Sequence, residues 1–225
     1  MKLLIATPAY NGNLTTDYFN AFLQSLPMFN SLGVQVSVLT SERDGLISRA
    51  RNSCAMFAME NEYDKVLFID SDIVWKPIDV EKLLTSTKHI VGGTYPYRSL
   101  PLNLVVMHED LKDKSVKSYA AFVQKHADEN FEIEVKYLPA GFLLVDTNVF
   151  RKLEKVRPAY DTFDVVTQTL TTAYDFFPIQ ILSDQRKYEA EDWGFCTTAR
   201  ENGFKIYLRA DVIVDHVGAH RFSVR

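Results

Sequence analysis

The chain has 225 residues, with 25 lysines and arginines against 29 aspartates and glutamates, a formal net charge of −4. A length of this order buries a substantial core, and 47% hydrophobic with 24% charged residues is the make-up of a globular protein rather than a disordered or fibrous one. The slightly acidic balance and scattered basic residues exclude a broad nucleic-acid surface, so an acidic ligand has to be met by local basic groups. Cys54 and Cys196 stand in no metal-ligand or redox spacing, which favours a reducing compartment over a disulfide framework. The longest N-terminal apolar run, Leu3 to Ala6, is too short for a signal or spanning segment. The expectation is a cytoplasmic chain with no transmembrane anchor.

Lys2 to Thr7 reads as a buried strand stopped by Pro8. Thr15 to Leu32 carries Phe19, Phe22, Leu23 and Leu26 at helical spacing and ends near Gly33, after which Val34, Val36 and Val38 alternate as a strand. Leu46, Ala50, Cys54 and Phe57 mark one face of a helix over Asp44 to Asn61, and Lys65 to Asp70 supplies a third strand. This β-α-β-α-β order predicts a doubly wound sheet whose ligand loops, Thr7 to Asn11 and Asp70 to Asp72, open on one edge. A helix from Asp79 to about Ser86 and a strand over His89 to Gly93 follow. Asn103 to Met107, Glu132 to Leu138 and Gly141 to Asp146 read as strands, the second antiparallel by its alternation. Thr147 to Val156 and Glu189 to Asn202 read as helices, with closing strands over Phe204 to Leu208 and Val212 to His216. Arg157 to Tyr188 has no clear period and reads either as a flap or as a structured insertion.

Asp70-Ser71-Asp72 follows the apolar run Val66 to Ile69. Two carboxylates at the end of a buried strand repel each other and lose hydration, a cost that a divalent cation or hydrogen-bond donors would offset. Residues i and i+2 of a strand point to one face, so a modest bend aims both at one ion. The alternative is a pair of aspartates that satisfy turn amides. The same string fits the haloacid-dehalogenase phosphatases, with Asp70 as nucleophile, although there the motif belongs to the first strand and here a β-α-β-α unit precedes it. No phosphate-cradling GxxxxGK[ST] or GxGxxG string is present.

Arg49, Asn52 and Met56 share helical spacing, so Arg49 and Asn52 can reach together toward the acidic loop, or else lie on a solvated face; Arg51 points elsewhere on an ideal helix. Glu191 and Asp192 fall near a helix start, where the dipole favours carboxylates. His216, near the end of the last strand, is a candidate ligand or a structural histidine.

The strings LLIATPAYNG, ISRARNS, VLFIDSDIVW, VGGTYPYR, PAGFLLVD, AEDWGFC and VDHVGAHRF occur in an order that resembles GT-A-fold, metal-dependent nucleotide-sugar glycosyltransferases, small viral ones among them. The resemblance spans nearly the whole chain. It implies one α/β domain over 1–225, with a Rossmann-like nucleotide-binding half at 1–100, an acceptor half at 101–225, a mixed central sheet and helices on both faces. It further implies Mn²⁺ or Mg²⁺ on Asp70, Asp72 and His216, an imidazole favouring manganese. Thr7, Pro8, Ala9 and Tyr10 would take the base and ribose of a donor, UDP-linked by preference, with Arg49, Asn52, Asp70 and Ser71 also on the donor. Asp192, then Glu191, would act as base toward a hydroxyl on a glycan or other acceptor. Trp193, Phe195, Gly141 and Phe142 would line the acceptor side, and Arg221 roughly matches a basic phosphate contact. A sugar-binding module without catalysis shares the same motifs.

Overall fold

The computed structural model describes residues 1–164, 169–182, 186–218 and 220–224. Strand β1 (Lys2–Pro8) turns Leu4 and Ala6 into one core and Leu3 and Ile5 into another on the opposite face. Side chains alternate along a strand, so a run covered on both faces is apolar at every position. Parallel strands β2 (Gln35–Ser41) and β3 (Lys65–Ile69) flank it, reached through helices α1 (Thr16–Ser31) and α2 (Ile47–Glu60). The expected β-α-β-α-β unit is therefore present.

Helix α1 buries a different face from the one its alkyl groups suggest. Phe19, Leu23 and Leu26 are exposed, while Tyr18, Ala21, Ser25, Met28 and Phe29 pack inward. Polar handles decide this: the Tyr18 hydroxyl bonds Thr7 Oγ1 at 2.5 Å, its ring meets Trp75 edge-on at 4.9 Å, and Ser25 Oγ accepts from Trp75 Nε1 at 3.0 Å.

After β3 come a short strand β4 (Ile73–Val74), helix α3 (Pro77–Leu84) and strand β5 (Ile90–Thr94). The strand expected over Asn103 to Met107 is instead irregular. Its bridges run to three different places, Asn103 to Ser115, Leu104 to Pro96 and Met107 to Tyr137, because its backbone groups are shared among turns rather than with one neighbour. Helix α4 (Val116–His126), capped by Ser115 on the Ser118 N–H, follows and was not legible in the pattern. Strands β6 (Glu132–Val135) and β7 (Phe142–Asp146) and helix α5 (Thr147–Leu153) lead into the aperiodic stretch.

That stretch contains two antiparallel hairpins, β8 (Ala159–Asp164) with β9 (Thr169–Tyr174), and β10 (Gln180–Leu182) with β11 (Lys187–Glu189). Residues 165–168 and 183–185 of the expected flap or insertion lie outside the described residues. Helix α6 (Glu191–Glu201), strand β12 (Ile206–Ile213) and short strands β13 (Asp215–Val217) and β14 (Arg221–Phe222) complete the chain. Strand β12 runs unbroken where the sequence suggested an interruption after Leu208.

The central sheet has seven strands in the order β2-β1-β3-β7-β5-β12-β6, with β7 antiparallel to both β3 and β5 and β6 antiparallel to β12. It is thus mixed, and strands from both halves of the chain interleave in it. Among the described residues no helix is long and apolar enough to cross a membrane.

One close approach fixes α6. A Cβ on Gly194 would stand 1.9 Å from the Pro178 carbonyl oxygen, a backbone atom with no rotamer to yield. Gly194→Ala is expected to lower stability by about 3 kcal/mol, the upper range for overpacking, measured as a shift in the urea midpoint.

Candidate active site

The C-terminal ends of β1 and β3 lie side by side, and between them opens a cleft of about 510 Å³. Pro8, Ala9 and Tyr10 line one wall, Asp70, Ser71 and Asp72 another, with Asp44, Gly45 and Arg98 at its border. Tyr10 presents an exposed ring, while the backbone beside it is spent on the neighbouring loop: Ala9 N–H donates to Ser41 O at 2.9 Å and Arg43 N–H to Tyr10 O at 3.0 Å. Thr7 does not reach the cleft. It is fully buried, its hydroxyl engaged by Tyr18.

The second sheet explains how His216 reaches the acidic loop. Strands β14, β13 and β4 pair so that His216 stands opposite Ile73, the residue after Asp72. His216 Nε2 lies 3.4 Å from Asp72 Oδ2, and Nδ1 lies 3.0 Å from the Pro96 carbonyl oxygen. The carbonyl partner calls for a proton on Nδ1 and orients the ring so that Nε2 faces the carboxylate. Arg98 Nη1 contacts the same Asp72 oxygen at 3.0 Å. Burial works against ionisation of Asp72, but the His216 contact and the Arg98 charge outweigh it and hold this carboxyl below its ordinary range.

Asp70 faces the other way. Its Oδ1 accepts from Arg51 Nη2 at 2.8 Å, and its N–H donates to Gly141 O at 3.1 Å. A Cβ on Gly141 would fall 2.8 Å from Asp70 Oδ2 and 2.5 Å from the Tyr95 hydroxyl, so the glycine lets both groups approach the backbone. The three expected ligands are accordingly not assembled as one set. Asp72 and His216 form a pair, Asp70 is turned to an arginine, and among the described residues no group of three His, Cys, Asp or Glu side chains is placed to hold a metal.

Arg51 is the residue the helical-spacing argument misjudged. Its guanidinium is buried, 2% exposed, and it pairs with Asp70 through Nη2 and with Glu191 through Nη1. Arg49, expected at the acidic loop, instead grips Asp44, with Nη2 to Oδ1 at 2.8 Å and Nε to Oδ2 at 2.9 Å. Asn52, also expected there, holds the first hairpin and its exit: Nδ2 donates to Tyr160 Oη at 3.1 Å and to Asp175 Oδ1 at 3.3 Å, and Oδ1 accepts from the Phe177 N–H at 2.9 Å. An ideal helix wheel fixes directions around an axis, but not which side the acidic loop lies on. A flexible four-bond arginine adds further freedom.

At the start of α6, Glu191 is committed to Arg51, whereas the Asp192 carboxylate accepts the Trp193 N–H at 2.8 Å. Desolvation and the neighbouring Glu191 charge push the Asp192 carboxyl up to about 6, although the Arg51 charge pulls the other way. Burial and the nearby Asp70 charge likewise raise the Tyr95 phenol well above its usual range. Trp193 is half-buried and stacks on Tyr137 at 5.0 Å, with Lys187 Nζ 4.8 Å from its ring centroid. Phe195 and Phe142, expected on the acceptor side, are fully buried: Phe195 stacks on Phe177 at 4.6 Å and Phe142 packs near Trp75. Arg221 is bound to Asp215, with Nη2 to Oδ2 at 2.7 Å. Arg98 was overlooked in the sequence because a single arginine after a turn has no spacing to mark it.

No protein-family model matches the chain, and no curated protein sequence matches it. Solved structures do. The fold is similar to A197 from STIV, with a TM-score of 0.57 and 16% identity over 97% of this chain and 86% of that one. It is also similar to the catalytic domain of Drosophila beta1,4galactosyltransferase 7 in complex with xylobiose, with a TM-score of 0.52 and 13% identity over 96% of this chain and 71% of that one. With its mixed seven-stranded sheet, the chain has a GT-A-type α/β fold.

Proposed function

We propose that the chain transfers a sugar from a nucleotide diphosphate donor, UDP-linked by preference, to a hydroxyl of a glycan or other acceptor. One observation carries this reading: on a GT-A-type fold, the cleft at the ends of β1 and β3 is joined through Asp70 and Arg51 to Glu191, the neighbour of Asp192 at the start of α6. A donor cleft and a proton acceptor would then stand on either side of one buried cation. Residues 1–100 would carry the donor side and 101–225 the acceptor side, with Pro8 to Tyr10 against the base and ribose and Asp70 to Asp72 beneath the diphosphate.

Asp72 and His216 suit Mn²⁺ or Mg²⁺. They offer a carboxylate oxygen and an imidazole nitrogen whose ring is oriented by Pro96. Cations that serve phosphates are commonly held by one or two protein groups, with the remaining positions left to water and substrate oxygens. When bound, the ion would supply positive charge to the departing diphosphate. Arg98 at the cleft border would add a second positive charge for the same oxygens. In an inverting displacement the acceptor oxygen forms its bond to the anomeric carbon as the carbon–oxygen bond to phosphate breaks. The electron pair leaves with the diphosphate, and the hydroxyl proton passes to Asp192.

The aspartyl-phosphate alternative requires Asp70 as a free nucleophile, and it is less well supported because Asp70 Oδ1 is taken up by Arg51. A panel of UDP-sugars incubated with the protein and Mn²⁺ tests the proposal. Slow metal-dependent release of UDP from at least one of them is expected. No release from any, together with phosphatase turnover of a generic phosphate ester, would overturn it.

A further inference from the structure

Arg51 is among the largest fully buried side chains of the described residues, yet it is charged and lies between two carboxylates that the chain brings together from distant positions. Replacing such a bridge by apolar groups generally costs little stability, so a buried ionic bridge needs a reason beyond holding the core together. Its two terminal nitrogens engage two different elements, Nη2 the loop after β3 and Nη1 the first turn of α6. The guanidinium is rigid and planar, and the spacing of its nitrogens fixes the spacing of the two carboxylates.

We propose that Arg51 is a positioning residue that couples the donor cleft to the acceptor base, acting through Glu191 and leaving Asp192 as the group that receives the proton. This rests on the transferase reading above. Glu191 and Asp192 are adjacent in the first turn of α6, so their side chains diverge by about 100° around the helix axis. Pinning Glu191 sets the rotation of that turn and with it the direction of Asp192. Asn52, the next residue of α2, steadies the same region by accepting the Phe177 N–H, and Phe177 stacks on Phe195 of α6. Gly194 lets α6 close against Pro178 beside it. Helix α2 is therefore tied to α6 twice, indirectly through Asn52 and Phe177 and directly through the Arg51 ion pair that is shared with Asp70. The two carboxylates divide the work: Glu191 is the ion-paired anchor, and Asp192, whose hydrogen bond among the described residues comes from the Trp193 N–H, is left to exchange a proton.

The test measures hydrolysis of a UDP-sugar that the wild-type protein turns over with Mn²⁺, resolved into kcat and donor KM for Arg51→Met, Arg51→Lys, Glu191→Gln and the double variant Arg51→Lys with Glu191→Gln. Thermal melting checks that each is folded. Arg51→Met is expected to lower kcat by about 100-fold with donor KM changed less than about threefold, the pattern of a lost transition-state interaction. Arg51→Lys should recover part of that loss. Glu191→Gln should reproduce the kcat loss of Arg51→Lys, and the double variant should be no worse than the more damaged single variant, since both break one bridge. If Arg51→Met does not fold, the lysine and glutamine variants still decide the matter. Independent, multiplying losses in the double variant, an unchanged kcat in folded Arg51→Lys, or a loss confined to KM would each overturn the proposal while leaving the transferase reading intact. A wild-type protein that turns over no nucleotide sugar would overturn both.

Discussion

Replacing Asp192 with asparagine is expected to lower the turnover of a UDP-sugar by about 100- to 10,000-fold, the span attributed to a positioned general base, with the fold retained. Asparagine keeps the shape and can still accept the Trp193 N–H through its amide oxygen, so the loss reports the missing proton acceptor rather than a collapsed helix start. The pH dependence gives the sign independently. The Asp192 carboxyl is pushed up to about 6 by desolvation and by the Glu191 charge, and only its deprotonated form takes a proton. For the wild-type protein, kcat/KM should fall about tenfold per pH unit below 6 and level off above about 7, and this limb should vanish in Asp192→Asn. A variant that keeps the wild-type rate and pH limb would remove Asp192 from the mechanism.

Asp72→Asn is expected to weaken Mn²⁺-dependent UDP binding by more than about 100-fold, because groups that merely orient a metal ligand already cost about 10- to 100-fold when lost. The fold should barely register the change. Asp72 contacts a half-exposed Arg98, a pair of the solvent-facing kind that contributes at most about 1 kcal/mol, and His216 across 3.4 Å, beyond close hydrogen-bond range. Thermal melting with and without UDP and Mn²⁺ reads both quantities at once: the ligand-induced rise should disappear while the melting temperature of the unliganded protein stays close to wild type. A retained rise would show that the acidic loop does not hold the cation.

Much of this fold could be read from periodicity because its central strands are covered on both faces. The runs at Leu3 to Ala6 and Val66 to Ile69 have no polar position to blur them, and Asp70 follows directly where β3 leaves the core. Legibility failed where a side chain's partner comes from far along the chain. Phe19, Leu23 and Leu26 look like a core stripe, but the helix is turned by a tyrosine and a serine whose partners, Thr7 and Trp75, no local pattern reveals. Arg49 and Arg51 are equally basic and two positions apart. Which one faces the carboxylates depends on the placement of α6, whose Glu191 lies 140 residues beyond Arg51. The proximity of Asp72 and His216 was suggested by family resemblance, and its physical cause is the pairing of β4 with β13.

The insertion of β7 between β3 and β5 also bears on how the molecule comes into being. Strands β3 and β5 have no mutual contact in the sheet, so both wait for β7, made about fifty residues after β5. Until Phe142–Asp146 pairs with them, the facing edges of these two largely buried strands remain open to wrong partners. A chain cut before β7 therefore leaves the facing edges of β3 and β5 unpaired, an aggregation hazard.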